Sequence, residues 1–336
     1  MKEKRTLISE YYRRLGLFAA FIGVCCYLAL TWSYSHHLTT TVYDESAYIF
    51  KGYLFASQEY QPYADFAPWT NHMPLAYLVP GYLQLWFGPG MQTARFFSVV
   101  LGLLTLLGLG LVGYRLGGVW WGAGVIWAVT LNTGWVKAFS QVFTQGLVCF
   151  LFAWMLFFSV GKQRKTWELC VAAFLAGLTG MTRINLLPVL FLYLLYLLWS
   201  SGRKTAVWAA ICGLLPVVWL HLTFWPDILK FWAYWLPAEI FPTIARYRPP
   251  WSIIHVPKDF SWWPPSVWLS DRGHLAWFGL ETLWLSLRAN IVPFISVIVS
   301  IIFWPRKGKW VSEDHRKLGV FLLVVYLSML FVHFWA

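Results

Sequence analysis

Apolar runs recur along this chain at residues 15–34, 96–114, 119–136, 142–160, 167–181, 184–199, 205–224, 283–304 and 318–335. Each approaches the roughly 20 residues an α-helix needs to cross a bilayer. Inside hydrocarbon a segment must satisfy its own backbone hydrogen bonds, and a helix does so without help from neighbours. The runs predict an all-α polytopic membrane protein with about nine transmembrane helices in one membrane-embedded domain spanning 1–336. Composition agrees, since 59% of the 336 residues are hydrophobic and 12% are charged, about half the charged fraction of a globular chain. A water-soluble fold is excluded.

Residues 74–87 form a further apolar run, but it is short, contains Pro80-Gly81 and stops at Gly88-Pro89-Gly90. Such a segment suits an interfacial or re-entrant helix better than a span. Parity supports that choice. If 74–87 does not cross, one side of the membrane receives Lys2, Lys4, Arg5, Arg13 and Arg14, then Arg115, then Lys162, Arg164 and Lys165, then Arg203 and Lys204, then Arg306, Lys307, Lys309, Arg316 and Lys317. Short basic loops mark the cytoplasmic side, which puts the N-terminus in the cytoplasm of a multi-pass plasma or inner membrane protein.

The same distribution explains the net charge of +12. In a soluble chain it would suggest nucleic acid, whereas here it reads as orientation, and no nucleic-acid partner is expected. The five cysteines, Cys25, Cys26, Cys149, Cys170 and Cys212, lie within apolar runs and lack metal-ligand spacing. The first run ends without a small-residue cleavage pattern and is expected to remain as an anchor. The last run meets Trp335-Ala336 with no polar cap, as in a C-terminally truncated chain.

This topology leaves two long segments outside, 35–95 and 225–282, and long loops on a rigid scaffold are where function concentrates. In the first, Ile49, Phe50, Tyr53 and Leu54 share a helical face, which predicts an amphipathic juxtamembrane helix with Asp44 and Glu45 in its first turn. Acidic residues there stabilise a helix N-terminus. In a chain this poor in acids, an adjacent pair at a membrane exit equally suits general-base work or a divalent cation. Asp65, His72 and the Pro-started run 74–87 follow closely.

The ordered set of Asp44-Glu45 after the first span, the polar-Pro-Leu junction at 72–75, the Gly88-Pro89 turn and Ala94-Arg95-Phe96-Phe97-Ser98 entering the next span resembles the GT-C membrane glycosyltransferases. It resembles especially the protein O-mannosyltransferase-like branch, which includes the lipid A aminoarabinose transferases. The resemblance covers about 15–185 and is strongest over 43–116. It implies transfer of a sugar from a polyprenyl-phosphate donor to a lipid, glycan or protein acceptor on the outer face. It also implies that Asp44 is the essential first-loop acid, Glu45 its partner, His72 a substrate contact and Arg95 the basic residue opening the next span. No cofactor beyond a divalent cation at Asp44 and Glu45 is implied. Met73 stands where relatives have a proline. Gln145 stands where relatives carry an aspartate, so it can hydrogen-bond a sugar hydroxyl but cannot take a proton.

Bases on the outer side run against the topological bias. Lys137 follows the run 119–136, and Arg183, with Asn185 beside it, sits between two runs almost without a loop. An ionisable residue so close to hydrocarbon is a functional candidate, and the planar fork of Arg183 suits a lipid-linked phosphate. Snorkelling to headgroups is the alternative. The tryptophans and prolines of 225–282 read mainly as interfacial anchors. A transporter or lipid flippase is the rival class, because it too would use intramembrane charges and helix breaks.

Overall fold

A computed structural model describes residues 2–38, 43–63, 72–161, 164–235, 242–247, 317–325 and 328. Every regular element among them is helical. The chain divides into two compact units, Met1–Asp227 and Ile228–Ala336. The first contains α1 (Lys2–His37), α2 (Tyr43–Ala56), α3 (Leu75–Phe87), α4 (Met91–Gly117), α5 (Val119–Thr130), α6 (Thr133–Phe139), α7 (Thr144–Ser159), α8 (Thr166–Thr182), a 3-10 turn (Ile184–Leu186), α9 (Leu187–Ser200) and α10 (Arg203–Thr223). The second contains α11 (Ile228–Trp235) and α12 (Pro242–Ala245), and residues 317–325 are also helical.

Among the described residues, three helices are long and apolar enough to cross a membrane: Glu10–His37 of α1, α4 and α10. Counting α6 and α7 together, across their 109° bend, gives a fourth. Several apolar runs are shorter as helices than as sequence. The run at 119–136 is divided because the Asn132 side chain accepts the N–H groups of Gly134 (3.1 Å) and Trp135 (3.3 Å), capping α6 as a separate helix. The run at 184–199 becomes a 3-10 turn and α9, of 14 residues, while 167–181 lies within α8, of 17 residues. At 1.5 Å per residue, α9 reaches about 21 Å against a hydrocarbon core of about 30 Å. With 13 residues, α3 is shorter still. The run at 283–304, and 318–335 beyond the residues given above, lie outside the described residues, as do 236–241 and 248–282 of the second long segment.

Helices α1 and α5–α6 run parallel, tied by bonds that climb both. Trp127 Nε1 donates to Ala19 O (3.0 Å), Thr130 Oγ1 to Gly23 O (3.2 Å) and Ser140 Oγ to Thr31 O (3.2 Å). Helix α4 packs against both in the opposite sense, around a core of Tyr27, Leu101, Leu106, Ile126, Val136 and Phe139. Helices packed in lipid gain little from apolar burial, so close backbone approach carries the association. Gly52 of α2 and Gly81 of α3 make one such crossing, where a Cβ on Gly81 would lie 2.0 Å from the Gly52 carbonyl oxygen. Gly177 of α8 and Gly213 of α10 make another, with a Cβ on Gly177 2.2 Å from the Gly213 carbonyl.

Charge collects at the helix ends. At one end, the Arg115 guanidinium bonds the Phe157 carbonyl and lies 3.5 Å over the Phe157 ring, while Arg164 pairs with Glu168 at 2.6 Å. The opposite end carries Asp44, Glu45, His72 and Arg95.

Candidate functional site

The first turn of α2 sends its two acids to different surroundings, because consecutive helical side chains diverge by about 100°. Asp44 is exposed and makes no ion pair among the described residues. Glu45 is 0% exposed, and both its oxygens accept from Arg95: Nε donates to Oε1 at 2.8 Å and Nη2 to Oε2 at 2.8 Å. The backbone N–H of Val142 also donates to Glu45 Oε1, at 3.1 Å. Arg95 Nη1 reaches the carbonyls of Ser35, at 3.2 Å, and Leu38. One forked ion pair thus fastens the end of α1, the start of α2, the first turns of α4 and the break between α6 and α7. The Glu45 carboxylate is committed to Arg95, so Asp44 and Glu45 do not jointly face a cation, and Arg95 faces Glu45. Among the described residues no group of three or more His, Cys, Asp or Glu could hold a metal ion.

One turn along α2, the Tyr48 hydroxyl lies 3.2 Å from His72 Nε2, and the Tyr77 hydroxyl lies 3.4 Å from His72 Nδ1. Both rings meet the imidazole edge-on at 5.7 Å. Tyr63 donates to the His72 carbonyl at 2.9 Å. Burial, reinforced by the Arg183 and Lys51 charges and opposed by Asp44, pushes the His72 pKa down to about 4. His72 is accordingly neutral at physiological pH, with one nitrogen donating to a phenol and the other accepting. Burial raises the Tyr48 pKa, with a smaller upward contribution from Asp44, while a hydrogen bond with Thr144 and the Arg183 charge lower it. Burial lowers that of Lys51.

These interactions identify what the fold brings together. Asp44, His72 and Arg183 share one electrostatic neighbourhood, and Tyr48, Lys51, Tyr77 and Thr144 join it. Arg183 caps the C-terminus of α8 in extended conformation (φ −141°, ψ 120°), its N–H bonded to Thr179 O at 3.0 Å. Its half-buried guanidinium makes no hydrogen bond or ion pair among the described residues. Asn185 is half-buried on the 3-10 turn that follows. Gln145 is exposed in the first turn of α7 and accepts from the Thr144 hydroxyl at 3.3 Å. Lys137 sits apart, its ammonium 5.9 Å from the Tyr34 ring centre. Asp65 lies outside the described residues.

Tyr48 and Lys51 carry a signal in the sequence: they follow Asp44 at four and seven residues and share its helical face. Thr144 carries none, since only the break between α6 and α7 brings it to Tyr48. The chain matches no protein family model, no curated protein and no solved structure. What the site does chemically is therefore argued from its own residues.

Proposed function

We propose that the chain is a glycosyltransferase that moves a sugar from a polyprenyl-phosphate donor to an acceptor hydroxyl at the outer face of the membrane. In this reading the N-terminus is cytoplasmic, the chain crosses about nine times in a GT-C-like arrangement, and the Asp44 end faces outward. The observation that carries it is the gathering of a carboxylate, Asp44, and a guanidinium, Arg183, neither in an ion pair among the described residues, around the neutral His72–Tyr48 pair.

The reaction is a single displacement at the anomeric carbon. The acceptor oxygen forms a bond to that carbon and yields its proton to Asp44. The bond from the carbon to the phosphate oxygen breaks, and its electron pair leaves with polyprenyl phosphate. Arg183 binds that phosphate through its fork of donors and offsets the added negative charge. A lipid phosphate is already a competent leaving group, so orientation and charge stabilisation are the protein's main tasks. His72 is neutral and acts as a positioning residue, holding the Tyr48 phenol on the face it shares with Asp44. Gln145 and Asn185 supply neutral hydrogen-bonding groups suited to sugar hydroxyls. Glu45 and Arg95 act by fixing the first turn of α2.

The rival reading, a transporter or lipid flippase, draws on the 109° bend between α6 and α7, since broken helices line transport sites. The two readings differ in chemistry. Asp44→Asn keeps the side chain's size while removing its charge, and transfer from a polyprenyl-phosphate sugar should fall by about 10²-fold or more while membrane insertion stays unchanged. Near-normal turnover of that variant would leave Asp44 as a helix-capping residue and remove the proposed base.

A further inference from the structure

A second feature lies beside the site. A cavity of about 660 Å³ opens between the end of α2, α3 and the last turns of α10. Its size falls in the range typical of small-ligand pockets. Among the described residues, none lining it carries a charged side chain, although the chain's net charge is +12 and the neighbouring cavity of about 760 Å³ is lined by His36 and Arg95. Gln58 and Gln61 present side-chain amides at its edge, and neither amide has a hydrogen-bond partner among the described residues. Thr223 donates its hydroxyl to Trp219 O at 2.9 Å, which leaves the oxygen's lone pairs to accept. Tyr60, Tyr82 and Trp219 supply exposed aromatic surface.

The loop that carries the glutamines is unusual. Gln58 has φ 63° and Tyr63 has φ 66°, left-handed conformations that non-glycine residues adopt rarely and that recur at ligand sites. The Tyr63 hydroxyl that bonds the His72 carbonyl links this loop to the site.

An alkyl chain would satisfy the apolar floor but would make no use of the two amides at its edge. A charged headgroup would find no counter-ion among the described residues. Paired hydroxyls, which both donate and accept, match carboxamides, and the C–H face of a pyranose matches an aromatic ring. We propose that this cavity binds an uncharged sugar unit, held by Gln58 and Gln61 and packed against the surrounding rings, and that it is where the acceptor glycan docks. Calling that sugar the acceptor rests on the glycosyl-transfer reading; the binding does not.

The test uses the full chain in lipid nanodiscs and saturation-transfer NMR with a panel of neutral α- and β-linked disaccharides of glucose, galactose and mannose. At least one should receive saturation on its carbon-bound protons above the level seen with empty nanodiscs. Its uronic-acid counterpart should bind at least about tenfold more weakly, and Gln58→Leu/Gln61→Leu should weaken the neutral sugar by about tenfold, in line with two lost hydrogen bonds. Both glutamines are exposed, so thermal stability should be unchanged. No saturation across the panel, together with labelling of the 58–61 segment by a photoreactive phospholipid, would assign the cavity to lipid chains and overturn the proposal. Asp44→Asn should keep disaccharide binding while losing transfer. Binding without any transfer in the parent would sink the enzyme reading alone; full transfer with an unchanged acceptor KM in the double glutamine variant would sink this one alone.

Discussion

Removing one partner of the Glu45–Arg95 pair should destabilise the chain far more than removing both. Glu45 is 0% exposed and Arg95 is 2% exposed, and two bonds of 2.8 Å join them. Arg95→Met would leave a buried carboxylate with the Val142 N–H as its donor among the described residues, and Glu45→Gln would take the Glu45 charge from a buried guanidinium. Breaking a buried pair in this way costs about 3–5 kcal/mol, whereas replacing both members by neutral groups of similar volume is often close to neutral. In the double variant Glu45→Gln/Arg95→Met, the glutamine still accepts from Val142 N–H, and the losses that remain include the Arg95 bonds to the Ser35 and Leu38 carbonyls. Stability of the detergent-solubilised protein, measured for all four members of the cycle, should show the double variant above either single, with a coupling energy of about 2 kcal/mol or more. Transfer activity adds a second readout. A positioning Glu45 allows partial recovery of activity in the double variant, because α2 is again held without an unpaired charge. Additive stability losses would refute the reasoning about the pair. If the double variant is as stable as the parent yet as inactive as Glu45→Gln, Glu45 itself takes part in the chemistry.

The neutral His72 makes stability pH-dependent. Its folded pKa, about 4, lies below the unfolded value of about 6.5, so the contribution is complete above pH 6.5 and is lost as pH falls toward 4. Acidifying from pH 7 to 5 should cost about 2 kcal/mol in packing between α2 and α3. His72→Gln should flatten that dependence, and an equal acid sensitivity in the variant would move its origin elsewhere. Gly81→Ala should separate α2 from α3 and cost about 1–3 kcal/mol in a thermal melt, because the Gly52 carbonyl has no side-chain freedom with which to yield. A melt identical to the parent's would contradict that crossing. Arg183→Lys keeps the charge but loses the fork, so turnover at subsaturating donor should fall by about tenfold. Parent-like rates would return Arg183 to interfacial anchoring.

Helices α1, α4 and α10 are legible in the sequence because their apolar runs are long and lack internal caps. The division at 131–132 is harder to read, since one asparagine inside an apolar run decides it through two side-chain bonds. Asp44, His72 and Arg183 stand out in the sequence as ionisable residues beside apolar runs, and their electrostatic coupling is what the fold adds. Glu45 and Arg95 are ambiguous in sequence for a physical reason. Composition gives an acid and a base near a membrane exit the same signature whether they face a substrate or each other, and only their mutual burial separates the two cases. The neutral cavity is equally silent in sequence, because its lining comes from four separated segments, and glutamine and tyrosine in a loop look like ordinary surface.

The most direct measurement is 31P NMR of proteoliposomes that contain the purified chain, a sugar linked to polyprenyl phosphate and a neutral oligosaccharide acceptor. A glycosyltransferase converts the donor's phosphodiester signal into the phosphomonoester of polyprenyl phosphate, and Asp44→Asn and Arg183→Gln should each abolish most of that conversion. Movement of the intact phosphodiester between leaflets by the parent chain, with no phosphomonoester formed, would contradict the account and assign the site to lipid transport.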